Sequence, residues 1–195
     1  MEARASATHG AFSVEEWAAQ DEPGEFVDGR LVEEEVPDLV HESVVAWLVA
    51  TLRAVFIPLG GFVFGSEAKF AVSPHRGRKP DATVFFGGGS PPPRRGVVRA
   101  PPDIAIEVVS PAPRDGRRDR IEKLLDYATF GVRYYWILDP EERSLEVLEL
   151  GSDGRYVHAL GAAEGRVDNV PGAPGLVLDL DALWAEIDRL GPPST

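Results

Sequence analysis

Asp81, Glu107 and Lys123 are the residues of this chain whose types and surroundings point most directly to chemistry. Glu107 stands inside the apolar run Ile104-Ala105-Ile106-Glu107-Val108-Val109. A lone carboxylate is costly there unless a cation, a metal or hydrogen-bond donors meet it. Asp81 follows Lys79-Pro80 and opens a second apolar run, Ala82 to Phe86. Lys123 lies four residues after Asp119 and four before Tyr127, a spacing that stacks the three side chains on one helix face. Two strand carboxylates can share a hard divalent cation, magnesium with manganese as its substitute, which keeps several waters and acidifies one. A lysine beside them can stabilise a phosphate or orient the attacking water. These types together could hold a metal, activate a water and meet a phosphate.

Each residue also has a plainer role. Asp81 equally serves as a strand opener, since Pro-Asp also occurs at 37–38 and 102–103. Glu107 has the alternative of a buried ion pair. Lys123 has the alternative of a helical pair with Asp119, worth a few tenths of a kcal/mol. Yet lysine is scarce here, 3 against 17 arginines, which singles out Lys123. His41 and Glu42, at the start of a predicted helix, are candidates for the layer around the metal, with Asp119 and Tyr127. Glu42 is also favoured there by the helix dipole.

The elements that must position these residues follow from periodicity. Ser13-Val14-Glu15-Glu16 has the capping-box pattern and starts a short helix. Glu25 to Glu33 reads as a hairpin around Asp28-Gly29. His41 to Phe56 reads as a long helix with Val44, Val45, Leu48, Leu52, Val55 and Phe56 as its stripe. Short strands are expected at 62–64 and 67–72, then strands at 81–86 and 103–109. Gly87 to Gly96 is rich in breakers, and a mobile loop is expected over 87–100. A second long helix is expected over 115–130, with Ile121, Leu124, Leu125 and Ala128 inward, Lys123 on the opposite face and Gly131 as its cap. Arg133 to Leu138 is a further strand, 145–150 its hairpin partner, and 156–160 another. A final helix starts at Asp179 or Asp181. The expected fold is a single α/β domain over 1–195: a twisted mixed sheet with an αβββαβ core at 41–138, flanking helices, and a C-terminal hairpin and helix at 144–190.

The net charge is −12, which argues against indiscriminate binding to nucleic acid. The distribution is uneven: residues 69–123 hold 12 Lys+Arg and 6 Asp+Glu, a net of +6, and the remainder holds 8 and 26, a net of −18. Arg114, Arg117, Arg118 and Arg120 in this window are the candidate nucleic-acid contacts. Cysteine is absent, which excludes disulfides and thiolate metal sites and fits a reducing compartment. No segment approaches the length of a membrane span, so a cytoplasmic location is the expectation.

Glu25-Phe-Val-Asp-Gly29, His41, Pro80-Asp81, Glu107-Val-Val-Ser-Pro111, Asp119-x3-Lys123-x3-Tyr127, Gly131-Val132 and Tyr135-Trp136-x2-Asp139-Pro140 resemble the Uma-two family over about 12–183. That family is grouped with the restriction-endonuclease-like P-D-(D/E)-x-K superfamily. The resemblance implies a magnesium-dependent phosphodiesterase site, with Asp81 and Glu107 as the two acids and the Val108 carbonyl joining them on the metal. The motif lysine would fall at 109, which is valine here, and the resemblance implies that Lys123 supplies that cation from the following helix. The expected function is a metal-dependent endonuclease acting on DNA. A homodimer would fit cleavage of both strands. The alternative is a catalytically silent module of the same fold that binds nucleic acid or a protein partner. A two-carboxylate glycosidase is the weaker rival, because it gives Lys123 nothing to do.

Overall fold

The computed structural model describes residues 13–20, 23–32, 37–110 and 118–191, with backbone alone over 118–120. Helix α1 (Val14–Ala19) begins with the capping box, the Ser13 hydroxyl and the Glu16 carboxylate each serving the other's amide. Strands β1 (Glu25–Val27) and β2 (Arg30–Val32) form the hairpin. Asp28 and Gly29 both have positive φ, the requirement of a tight two-residue hairpin turn. Helix α2 (Leu39–Phe56) starts two residues earlier than its apolar stripe suggests, because Asp38 caps it by accepting from the His41 amide. Then come β3 (Phe62–Phe64), β4 (Phe70–Ser73), β5 (Arg76–Arg78), β6 (Ala82–Phe85) and β7 (Ile104–Val108). A π-helical segment, Arg118–Lys123, runs into α3 (Leu124–Phe130). The chain finishes with β8 (Tyr134–Asp139), β9 (Ser144–Leu150), β10 (Tyr156–Ala162), β11 (Arg166–Val167), β12 (Leu178–Asp179) and α4 (Leu180–Ile187), capped by Asp179.

The larger sheet has six strands in the order β10-β9-β8-β7-β6-β3. Only β7 and β8 run parallel, joined through α3; the other neighbours are antiparallel. This is the mixed sheet expected from the helix–strands–helix–strand order. One face carries Val84, Ile104, Ile106, Trp136 and Val147 against the stripe of α2 and against Leu180 and Leu183 of α4. The other face carries Phe85, Ala105, Tyr135 and Ile137 against Tyr127 of α3 and Phe70 of β4. Each fully buried large aliphatic side chain contributes about 1.5–3 kcal/mol. At 18 residues and mean hydropathy 1.5, α2 is long and apolar enough by composition to cross a membrane, contrary to the reading of the sequence. In this fold its most apolar stripe lies in the core.

The hairpin β4–β5 leaves the larger sheet and joins β1–β2 in a second sheet, ordered β2-β1-β5-β4. The polar Arg76-Gly77-Arg78 gives no strand signal; pairing on both sides makes it one. Gly77 is required there because a Cβ would run into the Trp17 ring, which seals this sheet from outside. The strand expected at 67–72 is in fact Phe70–Ser73. The segment expected as a mobile loop over 87–100 is irregular, but Val98 exchanges hydrogen bonds with Lys69 and Ala71.

The second long helix departs most from expectation. Ile121 and Leu125, expected inside, are 52% and 62% exposed, whereas Lys123 and Tyr127 are buried. The π-helical turn shifts the phase of the residues that follow it. The face turned inward is polar because charged partners await it. Arg78, fully buried, reaches Glu25 Oε2 at 2.6 Å and Asp126 of α3 through its Nε at 2.8 Å. Glu25, also fully buried, accepts from the Lys79 amide and lies 3.8 Å from the Lys123 ammonium. The small sheet and α3 are thus joined by an ionic layer. The Glu25 and Asp126 carboxylates raise the pKa of Arg78 against the opposing effect of its burial, so it stays charged. Removing one member strands the others. Glu25→Ala should therefore lower unfolding free energy by about 3–5 kcal/mol in urea titrations. Gly77→Ala, which only overpacks Trp17, should cost about 1–3 kcal/mol.

Candidate active site

The site forms where β6 begins and β7 ends. These strands are antiparallel with Ala82 opposite Ile106, and continuing that register one residue sets Asp81 opposite Glu107. Alternation puts Glu107 on the face covered by α3, whereas Asp81 stands just before β6, where its carboxylate meets the Val108 amide and His41 of α2. The Val108 amide donates to Asp81 Oδ2 at 2.8 Å, which fixes Asp81 across the strand gap. In a strand the carbonyl points to the same side as its own N–H, so the Val108 carbonyl is also directed toward the Asp81 side.

Glu107 is held from above by α3. Lys123 Nζ lies 2.7 Å from its Oε2 and the Tyr127 hydroxyl donates to its Oε1 at 2.6 Å. The four-residue spacing of these donors lets one helix face grip both oxygens. Burial, then the nearby Glu107 charge, pushes the Tyr127 phenol well above its ordinary value, so it remains a donor. The Lys123 ammonium stands between the carboxylates of Glu107 and Glu25. It is inside the layer, not on a free surface, and so its loss is not cheap in stability as its position in the sequence suggests.

The N-terminal turn of α2 closes the other side. His41 is buried with Nε2 3.3 Å from Asp81 Oδ2, and Nδ1 has no hydrogen-bond partner; the nearest carboxylate oxygen to it in an ion-pair sense is Glu42 Oε1 at 3.8 Å. Burial lowers the His41 pKa, but the hydrogen bond and charge of Asp81, with Glu42 and Asp38 adding, bring it above the ordinary 6.5. Glu42 itself is mostly exposed.

Asp81, Glu107, Lys123, Tyr127, His41 and the Val108 backbone therefore come together. Arg114 and Arg117 lie outside the described residues, as do the side chains of Arg118, Asp119 and Arg120. Glu25, Arg78 and Asp126 are additions. The sequence signal for Glu25 is a carboxylate heading the apolar Phe26-Val27, weaker than the interrupted apolar run that marks Glu107. For Arg78 and Asp126 no local signal exists, because their partners are 48 residues apart.

The donors suit a hard divalent cation. Among the described residues, no three His, Asp or Glu side chains form a closed metal cage. Magnesium does not need one: it is ordinarily held by one or two carboxylates, waters and substrate phosphates. Two carboxylates at neighbouring strand ends meet that requirement, and His41 stands against one of them through Nε2, 3.3 Å from Asp81 Oδ2.

No curated protein matches the sequence. Among solved structures, a chain from Anabaena variabilis described as "a putative nuclease belonging to DUF820" shares the fold, with a TM-score of 0.71 and 20% identity. The match covers 90% of this chain and 99% of that one. The family model described as "Putative restriction endonuclease" matches residues 13–181, a span that contains every strand and every residue of the site described above, and the chain therefore belongs to that family, the Uma-two family.

Proposed function

We propose that this protein is a metal-dependent nuclease that hydrolyses phosphodiester bonds in DNA. The observation that carries the reading is Asp81 bonded to the amide of Val108, the residue after Glu107, with the Lys123 ammonium bonded to Glu107. Family membership supports a nuclease function, and the site chemistry supplies the finer reading. Asp81, Glu107 and the Val108 carbonyl would hold the cation. When bound, it would supply Lewis acidity toward phosphate and water.

The chain's own groups supply the rest. Lys123 sits at the metal-facing carboxylate and carries a compact positive charge for a phosphate oxygen or the incoming water. Glu25 places a second carboxylate 3.8 Å from that ammonium. Tyr127 pins the second oxygen of Glu107 and limits its rotation. The Val108 amide and His41 fix Asp81. These bonds hold the groups in place before any ligand arrives, which avoids reorganisation at the moment of reaction.

Purified protein incubated with mixed DNA substrates and magnesium or manganese should cleave them. Glu107→Gln and Asp81→Asn should abolish cleavage and weaken manganese affinity by roughly a hundredfold in calorimetric titration. Lys123→Gln, checked by thermal melts for folding, should lower cleavage by about a hundredfold or more while leaving manganese affinity within a small factor. Persistence of cleavage in Glu107→Gln would remove the site from the mechanism. Absence of cleavage by the wild type on DNA and RNA alike would favour the silent binding module.

The metal-free protein should show a pH signature. A histidine with a raised folded-state pKa contributes stability that is fully present below its unfolded value and is lost as pH rises through the folded value. Unfolding free energy should therefore fall, relative to His41→Gln, as pH rises from 6.5 upward. Asp81→Asn should flatten that difference, since Asp81 is the main group that raises the His41 pKa. A wild-type profile parallel to that of His41→Gln would refute the coupling.

A further inference from the structure

Among the described residues, the exposed aromatic side chains are Phe62 and Phe64 of β3, at 38% and 39%. Strand β3 is an edge of the larger sheet. Val63 between them is buried in the core that holds α2, so alternation turns both rings to the opposite face. That is the face on which Glu107 meets α3. Phe70 of β4 covers it as far as Phe85, with which it stacks. Beyond Phe85 comes Phe64, edge-on to it. The Phe62 and Phe64 rings are parallel to within 4°, with centroids 6.4 Å apart. Phe64 is opposite Thr83, two residues after Asp81. One strand spacing and two residues set the Phe64 and Asp81 backbones roughly 8 Å apart.

An open aromatic face at a sheet edge suits either a second protein or a flat ligand, and its area decides between them. A phenylalanine has roughly 150–250 Å² to bury, so at these exposures the two rings leave about 100–200 Å² open, against about 800 Å² per partner in a stable protein interface. The edge is also closed to an added strand, because Arg53 of α2 donates to the Val63 carbonyl at 3.2 Å. Arg53 thereby sets a cation at the rim of the ring pair. Glu67, the nearest acid in the sequence, is turned onto the Lys79 ammonium at 2.9 Å. Parallel aromatic faces with a cation beside them hold unpaired bases without regard to sequence. Paired bases keep their faces inside the duplex stack and cannot use them. We infer that Phe62 and Phe64 form a stacking platform for unpaired bases of the substrate strand, next to the scissile phosphate. The inference rests on the nuclease reading and names its substrate class, nucleic acid that is single-stranded where it crosses β3.

The test is fluorescence anisotropy with calcium in place of magnesium, on a labelled single strand of about 16 nucleotides, its duplex, and a strand of the same length built of abasic residues. The variant Phe62→Leu/Phe64→Leu keeps the platform apolar but removes its ring faces. It should bind the single strand roughly five- to a hundredfold more weakly than the wild type, with duplex affinity and manganese affinity unchanged. Phe64→Trp should bind the single strand at least as well as the wild type. The abasic strand needs no variant to fold: the wild type should bind it at least about fivefold more weakly than the ordinary strand. Equal affinity of the wild type for the two strands, or of the leucine variant and the wild type for the ordinary strand, overturns the platform. So does a wild-type dimer in sedimentation that the leucine variant dissociates. Duplex cleavage by a wild type that binds no single strand overturns the platform and leaves the nuclease reading intact. A wild type that neither binds nor cleaves any DNA or RNA overturns both.

Discussion

A carboxylate placed in the middle of a six-stranded sheet has to be matched, and most of the unusual features of this molecule follow from matching Glu107. Leaving it charged and alone in an apolar strand would cost several kcal/mol even after relaxation. Lys123 and Tyr127 supply one donor to each oxygen. Those donors must come from a helix laid over the strand end, so α3 turns a polar face inward and leaves Ile121 and Leu125 in water. Lys123 then sits between two acids, and Glu25 in turn needs Arg78 and the Lys79 amide. The second sheet exists in this arrangement to deliver Glu25 and Arg78 to that layer. One buried charge thus recruits a helix face, a hairpin and a second sheet.

The same layer explains why the site can be both stable and reactive. Ionic layers inside proteins give little net stability compared with apolar packing, and they are costly to break. Their benefit here is geometric. Asp81 is fixed by the Val108 amide, Glu107 by two donors and Lys123 by two acids, so each group has a defined place. The apolar faces on either side, built on Leu48, Leu52, Ile104, Ile106 and Trp136 below and on Phe70, Ala105 and Tyr135 above, supply the stability that the polar layer does not.

The fold was readable in the sequence wherever pattern and burial agree. The stripe of α2, the apolar β7 and β8 and the Asp28-Gly29 turn all announce themselves, because their apolar residues fill a core whose partners are apolar too. Glu107 was readable because a charge interrupts such a run. The orientation of α3 was not. Ile121, Leu124, Leu125 and Ala128 make a better apolar stripe than Lys123, Asp126 and Tyr127, and periodicity alone prefers it. The choice is made by Glu25 and Arg78, which arrive from about a hundred and about fifty residues upstream of α3 and carry no local sign of their destination. Strand β5 was hidden for a related reason. Arg76-Gly77-Arg78 is polar because its side chains feed the ionic layer, so tertiary partners and not residue preference make it a strand.

The central claim is that Asp81 and Glu107 share one divalent cation. The most direct measurement is a crystal structure of the protein soaked in manganese, with anomalous scattering used to place the ion. The account predicts one strong peak between β6 and β7, within roughly 2.5 Å of an oxygen from each carboxylate, with Lys123 still beside Glu107. A peak bound to neither carboxylate, or no peak at the site in a crystal with manganese bound elsewhere, would contradict it.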